Sequence, residues 1–80
     1  MVEVFKTTVT DAYYAKLLLR KIQSQFPDYL ANFDLTDCDR ILRIETKGYC
    51  EISGIITIIK TFGYQAEVLV DEVRTLKSPA

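Results

Sequence analysis

Apolar positions along the chain switch between a period of two and a period of about three and a half, and the switches divide it into six elements. Residues 2–8 are rich in β-branched side chains around Phe5 and predict a strand. Both parities of that strand hold apolar residues, so Val4 and Phe5 remain alternatives for the core position. Thr10 or Asp11 can cap the helix that follows, because a short side-chain oxygen accepts from an amide left without a partner at a helix start. The helix is predicted to about Phe26. Ala15, Leu18, Leu19, Ile22 and Phe26 recur at three- and four-residue spacing and form one apolar stripe, with Lys16, Arg20, Lys21 and Gln23 off it. Pro27 ends the helix by pushing the residue before it out of the α region. Residues 29–35 read as a strand, with Ala31, Phe33 and Leu35 on one side and Asn32 and Asp34 on the other. Thr36, Asp37, Cys38 and Asp39 have turn composition. Residues 40–46 follow as a strand with Leu42 and Ile44 inward and Arg43 and Glu45 outward. Lys47 and Gly48 break it. A second helix is predicted over 51–62, with Ile52, Ile55, Ile56 and Ile59 as its buried stripe and Thr57 and Lys60 facing water. Gly54 weakens that helix by about 1 kcal/mol relative to alanine, which the isoleucines must offset. Gly63 stands where a left-handed C-cap is wanted. Residues 65–70 close the pattern as a strand with Ala66, Val68 and Val70 on one face. The pattern is lost after Asp71.

Two strand–helix–strand halves in this order interleave into an α+β fold, the ferredoxin-like βαββαβ sandwich. It has a four-stranded antiparallel sheet with both helices on one face. A single domain over 1–71 and a flexible C-terminal tail over 72–80 are expected. The open sheet face should be polar, carrying Asn32, Asp34, Arg43 and Glu45. The links 8–14, 36–39 and 62–65 should share one pole. Cys38 falls at that pole and Cys50 at the other, roughly 20 Å away for strands of this length. That separation forbids a disulfide within the chain.

Composition narrows the chemistry. The 80 residues allow one domain, and 49% apolar content is ample for one core. Ten basic against eleven acidic residues leave a net charge of −1. No electrostatic attraction to nucleic acid or to an anionic membrane is therefore expected. The apolar run near Ile55 is far too short to span a bilayer. The amino terminus alternates apolar and polar residues and carries Glu3, unlike a secretory signal, so a cytoplasmic protein is expected. Histidine is absent, which removes the commonest general base and the commonest transition-metal ligand.

The segment Ile55-Ile56-Thr57-Ile58-Ile59-Lys60-Thr61-Phe62-Gly63-Tyr64-Gln65-Ala66-Glu67-Val68-Leu69 resembles the ending of heavy-metal-associated domains: an isoleucine-rich helix, then Gly-Tyr, then a short apolar strand. Phe26-Pro27 is similar to the leucine-proline end of that family's first helix. Leu18 and Ile22 fall at that helix's two core positions. The resemblance implies the ferredoxin-like fold over about 2–70. The family carries soft metal ions on a Met-x-Cys-x-x-Cys loop before the first helix. Here the loop reads Val9-Thr10-Asp11-Ala12-Tyr13-Tyr14, with Asp11 and Tyr14 at the cysteine positions. A carboxylate is a hard ligand, and a phenol with a pKa of about 10 is a poor one at neutral pH. Soft-metal binding by the family's route is therefore not expected, and no cofactor is. Asp28, where the family usually has glycine, is a smaller departure.

Four groups of residues are candidates for function. Cys38 lies near Asp11, and with Asp37 or Asp39 could form a variant metal site; alternatively the aspartates simply favour the turn. Tyr13, Tyr14, Phe62 and Tyr64 should cluster at one pole, as caps on the core or as a partner-binding patch. Asp34, Asp37 and Asp39 lack the ligand spacing and central glycine of a calcium loop. Lys16, Arg20 and Lys21 form a basic strip of the kind that usually lies in water. An acylphosphatase-like site would need a glycine-rich loop with an arginine before the first helix. An RNA-recognition surface would need aromatics on the third strand. Neither is present. The expectation is a non-enzymatic protein-interaction or regulatory module that has lost soft-metal binding, with an unknown protein partner or self-association. The alternatives are a metal binder using Cys38 and a small-molecule-binding homodimer.

Overall fold

The computed structural model describes residues 1–36 and 38–69. Asp37, Val70 and the segment 71–80 lie outside the described residues, and with them the expected end of the last strand, the domain limit at 71 and the tail over 72–80.

The elements follow one another as β1 (Val2–Thr7), α1 (Ala12–Gln25), β2 (Leu30–Asp34), β3 (Ile41–Glu45), α2 (Ile52–Thr61) and β4 (Ala66–Val68). The fold is α+β. The four strands form one sheet in the order β2-β3-β1-β4, with antiparallel neighbours throughout. The strands are shorter than the alternation suggests. β2 starts one residue after Tyr29, whose amide bonds the Phe26 carbonyl at 3.0 Å and so belongs to the turn.

Register decides the parity of β1. Phe5 stands opposite Leu42, and Glu3 opposite Ile44. Phe5 and Thr7 therefore face the core, while Val4, opposite Arg43, does not. Ala15, Leu18 and Ile22 of α1 and Ile55, Ile58 and Ile59 of α2 join Phe5, Leu42 and Ile44 in one cluster. Burying each leucine, isoleucine or phenylalanine among them contributes about 1.5–3 kcal/mol. The stripe of α2 is rotated from the expected one. Ile58 is buried, whereas Ile52 and Ile56 are only partly so. The rotation goes with packing α2 against α1 as well as against β4, which buries Ile58 beside the groove that α1 lines.

Two caps fall where the sequence places them. Asp11 is the N-cap of α1, its Oδ1 accepting from the Tyr13 amide at 2.8 Å. Gly63 has φ +88°, the left-handed position beyond α2. Arg40 also has a positive φ, 49°, which its composition did not announce. Its carbonyl accepts from the buried Thr7 hydroxyl at 2.7 Å and the Thr7 amide at 3.2 Å. Those bonds hold Arg40 in the left-handed region, which costs a residue with a Cβ roughly 1–2 kcal/mol.

The face of the sheet turned from the core is not the polar surface the alternation predicts. Asn32, Asp34, Arg43 and Glu45 are there and exposed, but Val2, Val4, Leu30 and Ile41 share the face with them. Alternation in β2 and β3 correctly sorted the polar residues. The same alternation puts Leu30 with Asn32 and Asp34, and Ile41 with Arg43 and Glu45; only the parity of β1, which adds Val2 and Val4, waited on the register.

Candidate functional site

Three connections meet at one pole. The Thr8 amide bonds the Gln65 carbonyl at 3.1 Å, and the Gln65 amide bonds Thr8 Oγ1 at 2.9 Å. The Thr7 amide and hydroxyl reach the hairpin at Asp39 and Arg40. Backbone bonds thus fix the start of α1 beside the Gly63-Tyr64 corner.

On this base stand three tyrosines. Tyr13 and Tyr14 meet edge to face with centroids 5.4 Å apart and planes at 78°. Tyr14 and Tyr64 are 6.3 Å apart at 59°. Such tilted pairs are favourable because ring edges and faces carry opposite partial charge. Tyr13 is 64% exposed and Tyr14 42%, while Tyr64 is partly buried against the core. Phe62, expected in the same group, sits at the C-cap of α2, packs against the core and lines the groove between the helices. The structure therefore brings together Tyr13, Tyr14 and Tyr64.

The carboxylate and thiol candidates are distributed differently. Asp11 is engaged as the helix cap. Cys38 is exposed in the hairpin turn, and both cysteines are free. Asp39 pairs with Lys6 at 3.9 Å, with both side chains about half exposed. Asp34 Oδ1 accepts from the Thr36 amide at 3.1 Å and hydroxyl at 2.6 Å, a local turn. Among the described residues no three His, Cys, Asp or Glu side chains come together as metal ligands would. Asp37 lies outside them.

The opposite pole holds features that residue patterns did not single out. Phe26 and Tyr29 stack nearly parallel, 4.7 Å apart at 8°. Glu51, the N-cap of α2, makes no capping bond with its own side chain. Tyr29 Oη takes that role, accepting from the Glu51 amide at 2.8 Å and donating to the Tyr49 carbonyl at 3.4 Å. A cap supplied from a distant residue leaves no local motif in the sequence. Tyr49 itself is 76% exposed. Cys50 is buried here, and burial, followed by the charges of Glu3 and Glu51, pushes its thiol pKa up. It therefore stays protonated and inert at neutral pH.

A groove of about 280 Å³ runs between α1 and α2 over Gly54. Its two threonine hydroxyls are committed to the helix, Thr57 donating to the Ser53 carbonyl and Thr61 to the Thr57 carbonyl, both at 2.8 Å, while Ser53 Oγ donates to Glu51 Oε1 at 3.5 Å. No helix among the described residues is long and apolar enough to cross a membrane. The chain matches no family model, no curated protein and no solved structure.

Proposed function

We propose that the chain is a ferredoxin-like, heavy-metal-associated-type domain that works as a non-enzymatic interaction module, docking a protein partner on the Tyr13–Tyr14–Tyr64 pole. The carrying observation is the joined exposure of Tyr13 and Tyr14 above a backbone fixed by the Asp11 cap and the Thr8–Gln65 bonds. Rigid aromatic side chains supply contact area with little conformational entropy to lose, which suits an interface. The βαββαβ reading is supported by the isoleucine-rich α2 followed by Gly63-Tyr64. Loss of soft-metal carriage is supported by the donor set: a hard carboxylate already used as a cap, and a phenol in a ring cluster.

The test compares wild type with Tyr13→Ser/Tyr14→Ser. Proteins captured from a lysate of the source organism by wild type and lost with the double variant are the partners. Amide shifts of the labelled chain on adding a purified partner should centre on Tyr13, Tyr14 and Tyr64. Equal capture by both forms, or shifts confined to the open sheet face, would sink the proposal. Calorimetric titration with Zn²⁺ or Cu(I) gives a separate arm: heat that disappears in Cys38→Ser would assign the chain to metal binding instead.

A further inference from the structure

The open face of the sheet carries a second surface, independent of the tyrosine pole. Register sets Val2, Glu45 and Leu30 in one row and Val4, Arg43 and Asn32 in the next. Leu69, whose amide donates to the Val4 carbonyl at 2.8 Å, stands beside the second row. Val2, Leu30 and Leu69 are 53%, 65% and 39% exposed. At the centre of this partly apolar face, on the interior strand β3, lie two exposed opposite charges. Neither the Arg43 nor the Glu45 side chain has a hydrogen bond or ion pair with a described residue.

A positive and a negative group two positions apart on one strand are self-complementary under a two-fold rotation. We infer that the open face docks on the same face of a second copy of the chain, about an axis that crosses β3 between Arg43 and Glu45. This operator sets Arg43 against Glu45 of the second copy, and Glu45 against its Arg43. Val2 then meets Val4 and Leu30 meets Asn32, so no like charges oppose one another in the two central rows. The match is electrostatic at the centre and apolar on the β1 side, where the valines meet. Four strands about 4.8 Å apart and roughly five residues long present about 300 Å² of projected face per copy. That is below the roughly 800 Å² per partner of a standard interface, so the dimer is weak and reversible.

Sedimentation velocity of the full chain at low salt, from micromolar to millimolar concentration, reads this directly. Wild type should shift from monomer to dimer across that range, and added salt should weaken the association. Arg43→Glu or Glu45→Arg places like charges at both crossing points and should weaken it about tenfold or more. The double exchange Arg43→Glu/Glu45→Arg should restore it, because the two-fold pairs each position with the other. Far-UV circular dichroism checks folding. Should a single variant unfold, Leu30→Lys, at the exposed edge, probes the same face and should also weaken the dimer. A monomer at every concentration overturns the inference. So does a double exchange no better than the singles, a Leu30→Lys variant that dimerises as wild type does, or association lost in Tyr13→Ser/Tyr14→Ser.

Discussion

Gly54→Ala sets two effects of opposite sign against each other, and the structure decides between them. Gly54 is the third residue of α2. On helix propensity alone, alanine there should stabilise by at most about 1 kcal/mol. A methyl group at this position would lie 3.0 Å from Glu51 Cγ and 3.0 Å from Phe26 Cζ. Ordinary carbon–carbon contact begins near about 3.5 Å, so both neighbours have to give by roughly half an ångström. The Glu51 side chain is flexible and can swing away. Phe26 is less free, because its ring is stacked on Tyr29 and Tyr29 holds the Glu51 amide. Overpacking of this kind typically costs about 1–3 kcal/mol. Set against a propensity gain of about 1 kcal/mol, the net expectation is a loss of roughly 0–2 kcal/mol. For a domain of this size each kcal/mol lowers Tm by about 4–8 °C. Urea unfolding followed by far-UV circular dichroism measures it. Combining Gly54→Ala with Phe26→Leu should recover part of the loss relative to Phe26→Leu alone, since the smaller side chain vacates the methyl's place. A gain of about 1 kcal/mol from Gly54→Ala by itself would refute the reasoning and leave Gly54 as a plain weak point in α2.

Tyr29→Phe keeps the ring stack and removes only the hydroxyl that bonds the Glu51 amide, so it should cost about 1 kcal/mol in the same assay; stability equal to wild type would mean that water caps α2 equally well. A thiol reagent should modify Cys38 at once in the folded protein and Cys50 only on unfolding, and prompt reaction of both would contradict the burial of Cys50. The pH dependence follows from the raised Cys50 pKa, whose ordinary value is 9.0. Above that pH the unfolded chain loses the thiol proton while the folded chain retains it, so unfolding is favoured as pH rises towards the folded pKa. Stability should therefore be unaffected by this group below pH 9.0 and fall above it. Cys50→Ala should show a shallower decline, and parallel wild-type and variant profiles would remove the role of Cys50.

The candidate site was legible in part, for reasons that can be traced to particular residues. Tyr13 and Tyr14 follow directly from the helix start that Asp11 marks, and Tyr64 from the corner that Gly63 marks, so local signals sufficed to name them. Phe62 belongs with them by the shared pole of the topology, and of its two readings, core cap or partner patch, its place at the C-cap of α2 fits the core cap, against the core and the interhelical groove. Tyr29 was missed because its function depends on Glu51, 22 positions away. No periodicity links two such residues.

The sequence alone determined the two helices, the inward side chains of β2 and β3, a cap at Thr10 or Asp11 and the Gly63 turn. Each is settled by neighbours within one or two turns of chain, through side-chain spacing or a single backbone preference. Tertiary structure alone decided that Phe5 rather than Val4 faces the core and that Ile58 completes the buried side of α2. It also decided that Gly54 lies against Phe26, and that Val2 and Val4 join Arg43 and Glu45 on the open face. These depend on which strand pairs with which, in what register, and on how far one helix is turned against another. Such quantities arise only when distant segments meet, and no local pattern can encode them.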